Sequence, residues 1–239
     1  MLISPPIAQA FTDISARERD LSRAFTPGAV PEKSDVAKGS SSTYALDPLA
    51  VAAPPDAYFV TVGEAGKLRY DRAGTLQFRD GALLGAGGRP MMGYRDARST
   101  LAPLRADPVD VALGYASDPR VDGDGAVTYA RETIDPRTGA REVRRVCLGR
   151  IALARFAAGT KLQPFDGTSF GAPPETAPHL GRARDDNFGP LTPHARAGSG
   201  IDIDLGLQRL QEAYLAFDAL RVADHAKTGV EKTAMDLLK

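Results

Sequence analysis

The sequence predicts a mainly β protein with α-helices at its two ends. It combines a β-hairpin-rich central domain with N- and C-terminal helices that pair as a coiled coil. Three observations predict this. Apolar residues recur at alternating three- and four-residue spacing near both termini. Between them, short runs of β-branched and aromatic residues are broken by turn sequences. Gly (24) and Pro (18) together exceed the ~12% of an average chain, which favours many turns over long helical packing.

The N-terminal stripe runs Ile7, Phe11, Ile14, Glu18, Leu21, Phe25 and predicts a helix over 4–25. Ser4 stands at the cap position, and Pro5 and Pro6 fit the first turn, where a missing N–H is harmless. Thr26-Pro27-Gly28 ends the helix. Glu18 interrupts the apolar seam, and a helix of this length is marginal in water without a packing partner. Residues 27–57 are rich in Pro, Ser and Lys, and Lys38-Gly39-Ser40-Ser41-Ser42-Thr43 reads as a flexible linker.

Strand patterns begin at Tyr58-Phe59-Val60-Thr61-Val62. Glu64-Ala65-Gly66 turns the chain, and Lys67–Tyr70 and Thr75–Phe78 alternate. Arg79-Asp80-Gly81 signals a hairpin, because Gly accepts positive φ. Residues 95–120 predict short strands around Leu101, Leu104, Val109, Val111 and Leu113. Val121–Tyr129 reads as a second hairpin, Asp135-Pro136-Arg137-Thr138-Gly139 as a turn, and Glu142–Phe156 as a long strand. From Gln163 to Gly200 the chain reads as Gly/Pro loops carrying Phe165, Phe170 and Phe188. The last helix is expected from about Asp204 to Leu238. Its stripe runs Ile203, Leu207, Leu210, Tyr214, Phe217, then shifts phase after Leu220 to Ala223, Ala226, Val230, Ala234 and Leu237. Four segments follow: 1–43, N-terminal helix and linker; 44–163, central β domain; 164–203, Gly/Pro-rich loop region; 204–239, C-terminal helix.

Chemistry-bearing patterns are sparse. Basic and acidic residues balance at 30 each, without the basic surplus that a nucleic-acid binder carries. The single Cys147 lies in a strand-like run and reads as a buried structural thiol. Asp118–Gly125 with Glu132 lacks the carboxylate spacing of a calcium loop and reads as a turn between strands. Gly81–Gly88 has no following Lys and Ser/Thr, so it reads as a β turn, not a phosphate cradle. His179, His194 and His225 are far apart and sit in no nucleophile motif. No catalytic, cofactor-binding or metal residue is expected, and the chain reads as a non-enzyme. No run approaches the ~18 apolar residues of a membrane span. The first residues lack the basic start and continuous apolar run of a secretory signal.

Several elements in order resemble the bacterial flagellar hook–basal body family of rod and hook proteins. Asp56–Val62 is followed by Leu68-Arg69-Tyr70-Asp71-Arg72-Ala73-Gly74-Thr75-Leu76, where the family has "Y-T-R-A-G-N-F". Asp80-Gly81-Ala82-Leu83-Leu84 matches its "D-G-x-L-V" turn, and Gly88-Arg89-Pro90-Met91-Met92-Gly93 its "G-x-P-V-L-G" turn. Val121–Thr128 is similar to its "D-G-T-V-S" hairpin and Gly149–Phe156 to its "G-x-I-x-L-x-x-F" strand. Gly200–Leu205 leads into a long terminal helix, as in the family. Asp20–Phe25 replaces the Asn-rich end of the family's first helix, which marks a divergent member.

The resemblance implies a structural subunit of the flagellar basal-body rod, self-assembling through its terminal helices into an axial tube that serves motility. Implied partners are copies of itself, other rod and hook proteins and the flagellar type III export apparatus, without nucleic acid or membrane insertion. The implied location is the basal body in the periplasmic part of the cell envelope, reached without a cleaved signal. The expected assembly seam is Ile7, Phe11, Ile14, Leu21, Phe25, Leu207, Leu210, Tyr214, Phe217 and Leu220. Two alternatives stay open: a β-rich ligand- or carbohydrate-binding protein, and a rod-associated assembly factor that does not polymerise.

Overall fold

The structure, a computed structural model, describes residues 4–26, 28–33, 35, 37, 42–96, 98–134, 137–157, 159–160, 162–166, 168–185 and 187–237. Helix α1 (Pro5–Ser22) opens the chain. Strands β1 (Ser42–Tyr44), β2 (Val51–Ala52), β3 (Tyr58–Val62), β4 (Leu68–Asp71), β5 (Gln77–Arg79), β6 (Ala82–Leu84), β7 (Met92–Tyr94) and β8 (Ala102–Pro103) follow. After the short helix α2 (Pro108–Ala112) come β9 (Ala116–Val121), β10 (Ala126–Ile134) and β11 (Arg141–Arg155). Then come β12 (Gln163–Pro164), β13 (Ser169–Gly171), β14 (His179–Arg182), β15 (Thr192–Pro193), β16 (Ala195–Ala197) and the long helix α3 (Ile203–Leu237). The protein is mostly β, with antiparallel sheets and helices at both ends of the chain. It divides into two compact units: residues 26–29 with 40–198, and residues 1–25, 30–39 and 199–239.

The first unit is built on β11. Its first ten residues pair with β10, and its last six meet β7, β3 and β14 in turn. The main sheet runs β12-β13-β4-β3-β11-β10-β9. Strand side chains alternate between faces, and the last turns of β11 are apolar on both. Ile151 and Leu153 join Phe59, Leu83, Met91, Val127 and Tyr129 in one core. Ala152 and Ala154 join Val60, Tyr70 and Met92 in another. The alternating small residues explain why Ile151-Ala152-Leu153-Ala154 reads as an unbroken apolar run: both faces are covered.

Turn chemistry sets the hairpins. Asp80 and Gly81 both take positive φ between β5 and β6, as a two-residue primed turn requires. Gly125 at φ +77 closes β9 onto β10. Gly74 is fixed twice over. Its φ is +63, and a Cβ there would overlap the Val51 carbonyl oxygen, which accepts no such neighbour.

Several expectations change here. Val109 and Val111 lie on α2, not on strands. Asp107 accepts from the Val109 N–H at 2.8 Å and Pro108 fills the first turn, so the cap wins over β propensity. The stretch read as loops carries β12 to β16, and Phe170 and Phe188 are buried there. These strands are two to four residues long, too short to show a period. Cys147 is exposed, not buried. The β10–β11 register slips between Val127 and Thr128, and at that bulge Gly149 takes φ +141. The extra residue turns Leu148 inward beside Gly149 and leaves Cys147 outside. Residues 38–41 of the expected linker, Pro27 of the helix stop and Asp135-Pro136 of the expected turn lie outside the described residues; Ser42 and Thr43 belong to β1.

Candidate assembly surface

The second unit is where the terminal stripes meet. α1 starts as the sequence predicts, with Ser4 at the cap and Pro5 and Pro6 in the first turn, although the Ser4 side chain makes no capping bond. α1 and α3 pack on each other. Leu21 lies against Gly206 and the Tyr214 hydroxyl donates to Glu18 at 2.6 Å, so the two helices run antiparallel.

Ala16 and Asp20 on α1 and Leu205 and Arg209 on α3 are shielded as well, but one row of less exposed residues on each helix follows a three–four rhythm. On α1 they are Ile7, Ala10, Ile14, Arg17, Leu21 and, just past its end, Ala24. On α3 they are Ile203, Gly206, Leu210, Ala213, Phe217 and Leu220. Small residues interrupt each row, Ala10 and Ala24 on α1 and Gly206 and Ala213 on α3. The small ones permit close approach: a Cβ at Gly206 would come within 2.9 Å of a Leu21 methyl.

The ten expected seam residues therefore divide. Ile7, Ile14, Leu21, Leu210, Phe217 and Leu220 lie on these shielded rows. Phe11 (62% exposed), Phe25 (86%), Leu207 (48%) and Tyr214 (44%) do not. Leu207 and Tyr214 sit seven residues, two turns, apart on α3, Phe11 lies off the shielded row of α1, and Phe25 lies past the end of that helix. The apolar stripe is legible in the sequence, but the small residues interspersed with it, Ala10, Gly206 and Ala213, carry no such signal.

A second row on α1 holds the returning chain. Asp20 is buried and accepts from the Glu32 N–H at 2.7 Å, the Lys33 N–H at 3.1 Å and Arg23 Nη2 at 3.0 Å. A buried carboxylate with three charge-assisted or backbone donors is satisfied. Asp13, one helical row away, pairs with Lys33 and Arg17, and the Lys33 hydrogen bond is the main reason its carboxyl titrates below the usual range. Arg17 also reaches Asp35, which Arg209 of α3 approaches at 3.9 Å. These ion pairs bind Glu32 and Lys33 to α1 and Asp35 to both helices. The sequence held no periodic signal for them, because one buried Asp in a polar run looks like any surface residue.

Past Leu220 the picture changes. Residues 221–230 of α3 are all exposed, Val222 and Val230 among them. At 1.5 Å per residue α1 is about 27 Å long and α3 about 52 Å, so α1 covers only the first half of its partner. The side chains of Ala234 and Leu237, the end of the phase-shifted stripe, lie outside the described residues.

Elsewhere the candidate residues do not converge. Among the described residues no three His, Cys, Asp or Glu gather as a metal site, and no helix is long and apolar enough to cross a membrane. His179 stacks on Phe188 at 5.6 Å, and His225 is exposed on α3. Asp118 pairs with Arg120 and Arg145. Asp124 pairs with Arg150 and supports its own turn through the Ala126 N–H. These are the bonds of a hairpin. No known protein family's profile matches the chain, and no curated protein matches it in sequence.

Proposed function

We propose that this chain is a structural subunit of the bacterial flagellar basal-body rod, which polymerises with copies of itself and with other rod and hook proteins through its terminal helices. The observation that carries the reading is the uncovered length of α3, together with the apolar flank of Phe11, Phe25, Leu207 and Tyr214. A helix exposed all round gains little from propensity alone and needs a packing partner. Neighbouring subunits supply it, in a coiled coil with the terminal helices, and the β unit supplies lateral contacts. The ordered set of hairpins that resembles the rod and hook family supports the same reading.

The physics is coupled ordering. Fixing a residue's backbone costs about 1–2 kcal/mol. Burying apolar side chains against a neighbour returns about 25 cal/mol per Å². The helical ends stay loosely held until a growing tip supplies that burial, which keeps free subunits from polymerising in transit. Contacts between unlike faces that do not close on themselves build a helical tube. Export through the flagellum-specific channel and a place in the periplasmic part of the envelope belong to this proposal.

Electron microscopy and sedimentation of the purified chain test it. The wild type forms filaments or short tubes, alone or on purified rod segments. Phe217→Asp, a charge on the shielded row, stops this while the β unit keeps its melting transition. A wild type that binds rods without adding length is an assembly factor and refutes the polymer. A wild type that stays monomeric and binds a glycan refutes the rod reading altogether.

A further inference from the structure

Asp71 ends β4, opposite Phe59 of β3 and Ser169 of β13. Its side chain is 1% exposed, and Oδ2 meets no hydrogen-bond donor. The loop Gly85–Arg89 roofs it. A Cβ at Gly85 would sit 3.4 Å from Asp71 Oδ2, 2.8 Å from Thr61 Cγ2 and 2.9 Å from Met91 Cε, so only a bare backbone fits above the carboxyl. The loop is closed by the Gly85 N–H donating to the Arg89 carbonyl at 2.8 Å and the Gly88 N–H to the Gly85 carbonyl at 3.1 Å. The glycine-rich run is therefore a device for folding Arg89 back underneath itself: the guanidinium lies within 3.1 Å of the space that a Gly87 Cβ would take.

Arg89 uses one arm of its fork. Nη1 donates to Asp166 Oδ2 at 2.7 Å, while Nε and Nη2 are buried and make no hydrogen bond. Asp166 is anchored separately, accepting from the Ser169 N–H at 2.8 Å and the Thr168 N–H at 3.3 Å. The Arg89–Asp166 pair thus fastens the β12–β13 turn to the glycine loop. The charged groups around Asp71 are Arg89 from that loop and Asp166 from that turn; β3 faces it with the uncharged Thr61. Arg69, two residues back on β4, stacks on Phe165 at 3.9 Å.

We propose that Arg89 is a proton-controlled latch, committed to Asp166 while Asp71 carries a proton and drawn by its free Nε–Nη2 edge onto Asp71 when that proton leaves. Asp71 accepts from the Ala73 N–H, but its Oδ2 has no donor, and a buried carboxylate so placed is costly to ionise, so it is either neutral or paired. A guanidinium with two idle donors offers the bidentate partner a carboxylate prefers. Burial pushes the Asp71 carboxyl up to about 7, with Arg89 pulling it down and the Asp166 charge holding it up. Asp166 differs. Burial raises it too, but hydrogen bonds from Ser169 and Arg89 and from the Ser169 and Thr168 backbone outweigh that and hold it at about 2. Across neutral pH one carboxylate is therefore permanently charged and the other switches. Movement of Arg89 inward strains its bond to Asp166 and loosens the β12–β13 turn. This latch lies wholly within the β unit and does not depend on polymerisation.

An NMR titration of the full chain from about pH 5 to about pH 9 tests it. The signals are the Asp71 carboxyl carbon, the Arg89 Nε–H and the Thr168 and Ser169 amides. The latch predicts one shared midpoint near neutrality for all of them. D71N removes the transition at Arg89, Thr168 and Ser169, and D166N lowers the Asp71 midpoint by roughly one pH unit, because a like charge is gone. Asp71 titrating in the ordinary carboxylate range overturns the proposal, and so does an Arg89 Nε–H that stays still while Asp71 titrates. If D71N does not fold, the wild-type midpoints and the D166N shift decide alone.

Discussion

The β unit and the helical unit are held by different forces. The β unit buries Phe59, Leu83, Met91, Ile151, Leu153 and Tyr129 to near completeness, in two cores on opposite faces of one sheet. The helical unit shields mostly half-buried residues, with Ala10 and Ala213 among them, and relies on ion pairs that join Lys33 to α1 and Asp35 to α1 and α3. Its large apolar side chains Phe11 and Phe25 face solvent. Both units leave large apolar side chains exposed, Leu46, Ile134 and Phe165 on the β unit among them. What sets the helical unit apart is residues 221–230 of α3, a run of helix exposed on every side, and that is the physical basis for proposing it for assembly.

Substitutions inside the β unit should show the largest effects. Gly74→Val combines positive φ with a clash at the Val51 carbonyl. A loss of more than about 4 kcal/mol is expected in denaturant unfolding followed by sheet signal, enough to unfold a marginal domain. Leu153→Ala should cost about 2–5 kcal/mol by the same measurement, through lost transfer energy and an unfilled cavity. If either variant instead changes only assembly, the β unit is not the self-sufficient region.

The β unit should also lose stability as pH rises, whereas Asp13 of the helical unit, held below the usual range, acts only in acid and with the opposite sign. Asp71 ionises near 4 in the unfolded chain and at about 7 when folded. Between those values the folded state holds the extra proton, so stability falls as pH rises from about 4 to about 7, by up to about 4 kcal/mol. Thermal or denaturant unfolding across that window reads the slope, and Asp71→Asn should flatten it. A slope that survives the substitution assigns the proton elsewhere.

Asp20→Ala is the matching test in the helical unit. It strips an acceptor from two backbone N–H groups and from Arg23. About 2–3 kcal/mol of local stability should go, seen as faster amide exchange at Glu32 and Lys33. Exchange in β11 should not change. The smallest effect is ionic. Raising salt well above physiological strength should loosen the Asp13–Lys33 and Arg17–Asp35 contacts by less than about 1 kcal/mol, read as a small drop in the helical melting temperature.

The parts of the fold that were legible in the sequence share one property: the signal was local. Asp80-Gly81 and Gly125 encode positive φ, and β11 and both helices are long enough for a period to show. What was hidden depended on partners distant in sequence. β12 to β16 are strands only because other strands are waiting to pair with them. The exposure of Cys147 follows from a bulge against β10 that composition does not encode. α2 is the exception, since Asp107-Pro108 is a readable helix start that β-branched Val109 and Val111 outweighed. At the candidate surface the apolar residues were visible and their division into shielded row and outer flank was not. That division hangs on Gly206 and Ala213, which carry no hydrophobic signal.

The central claim is that the outer flank of the helical unit is meant for sister molecules. Far-ultraviolet circular dichroism and sedimentation velocity, run together over a range of protein concentrations, test it directly. For the wild type, helix content should rise as larger species appear. A Phe11→Ser/Leu207→Ser variant should stay small at every concentration with its sheet signal intact. Helix content that is the same in monomer and assembly, or a double variant that assembles as well as the wild type, would contradict the account.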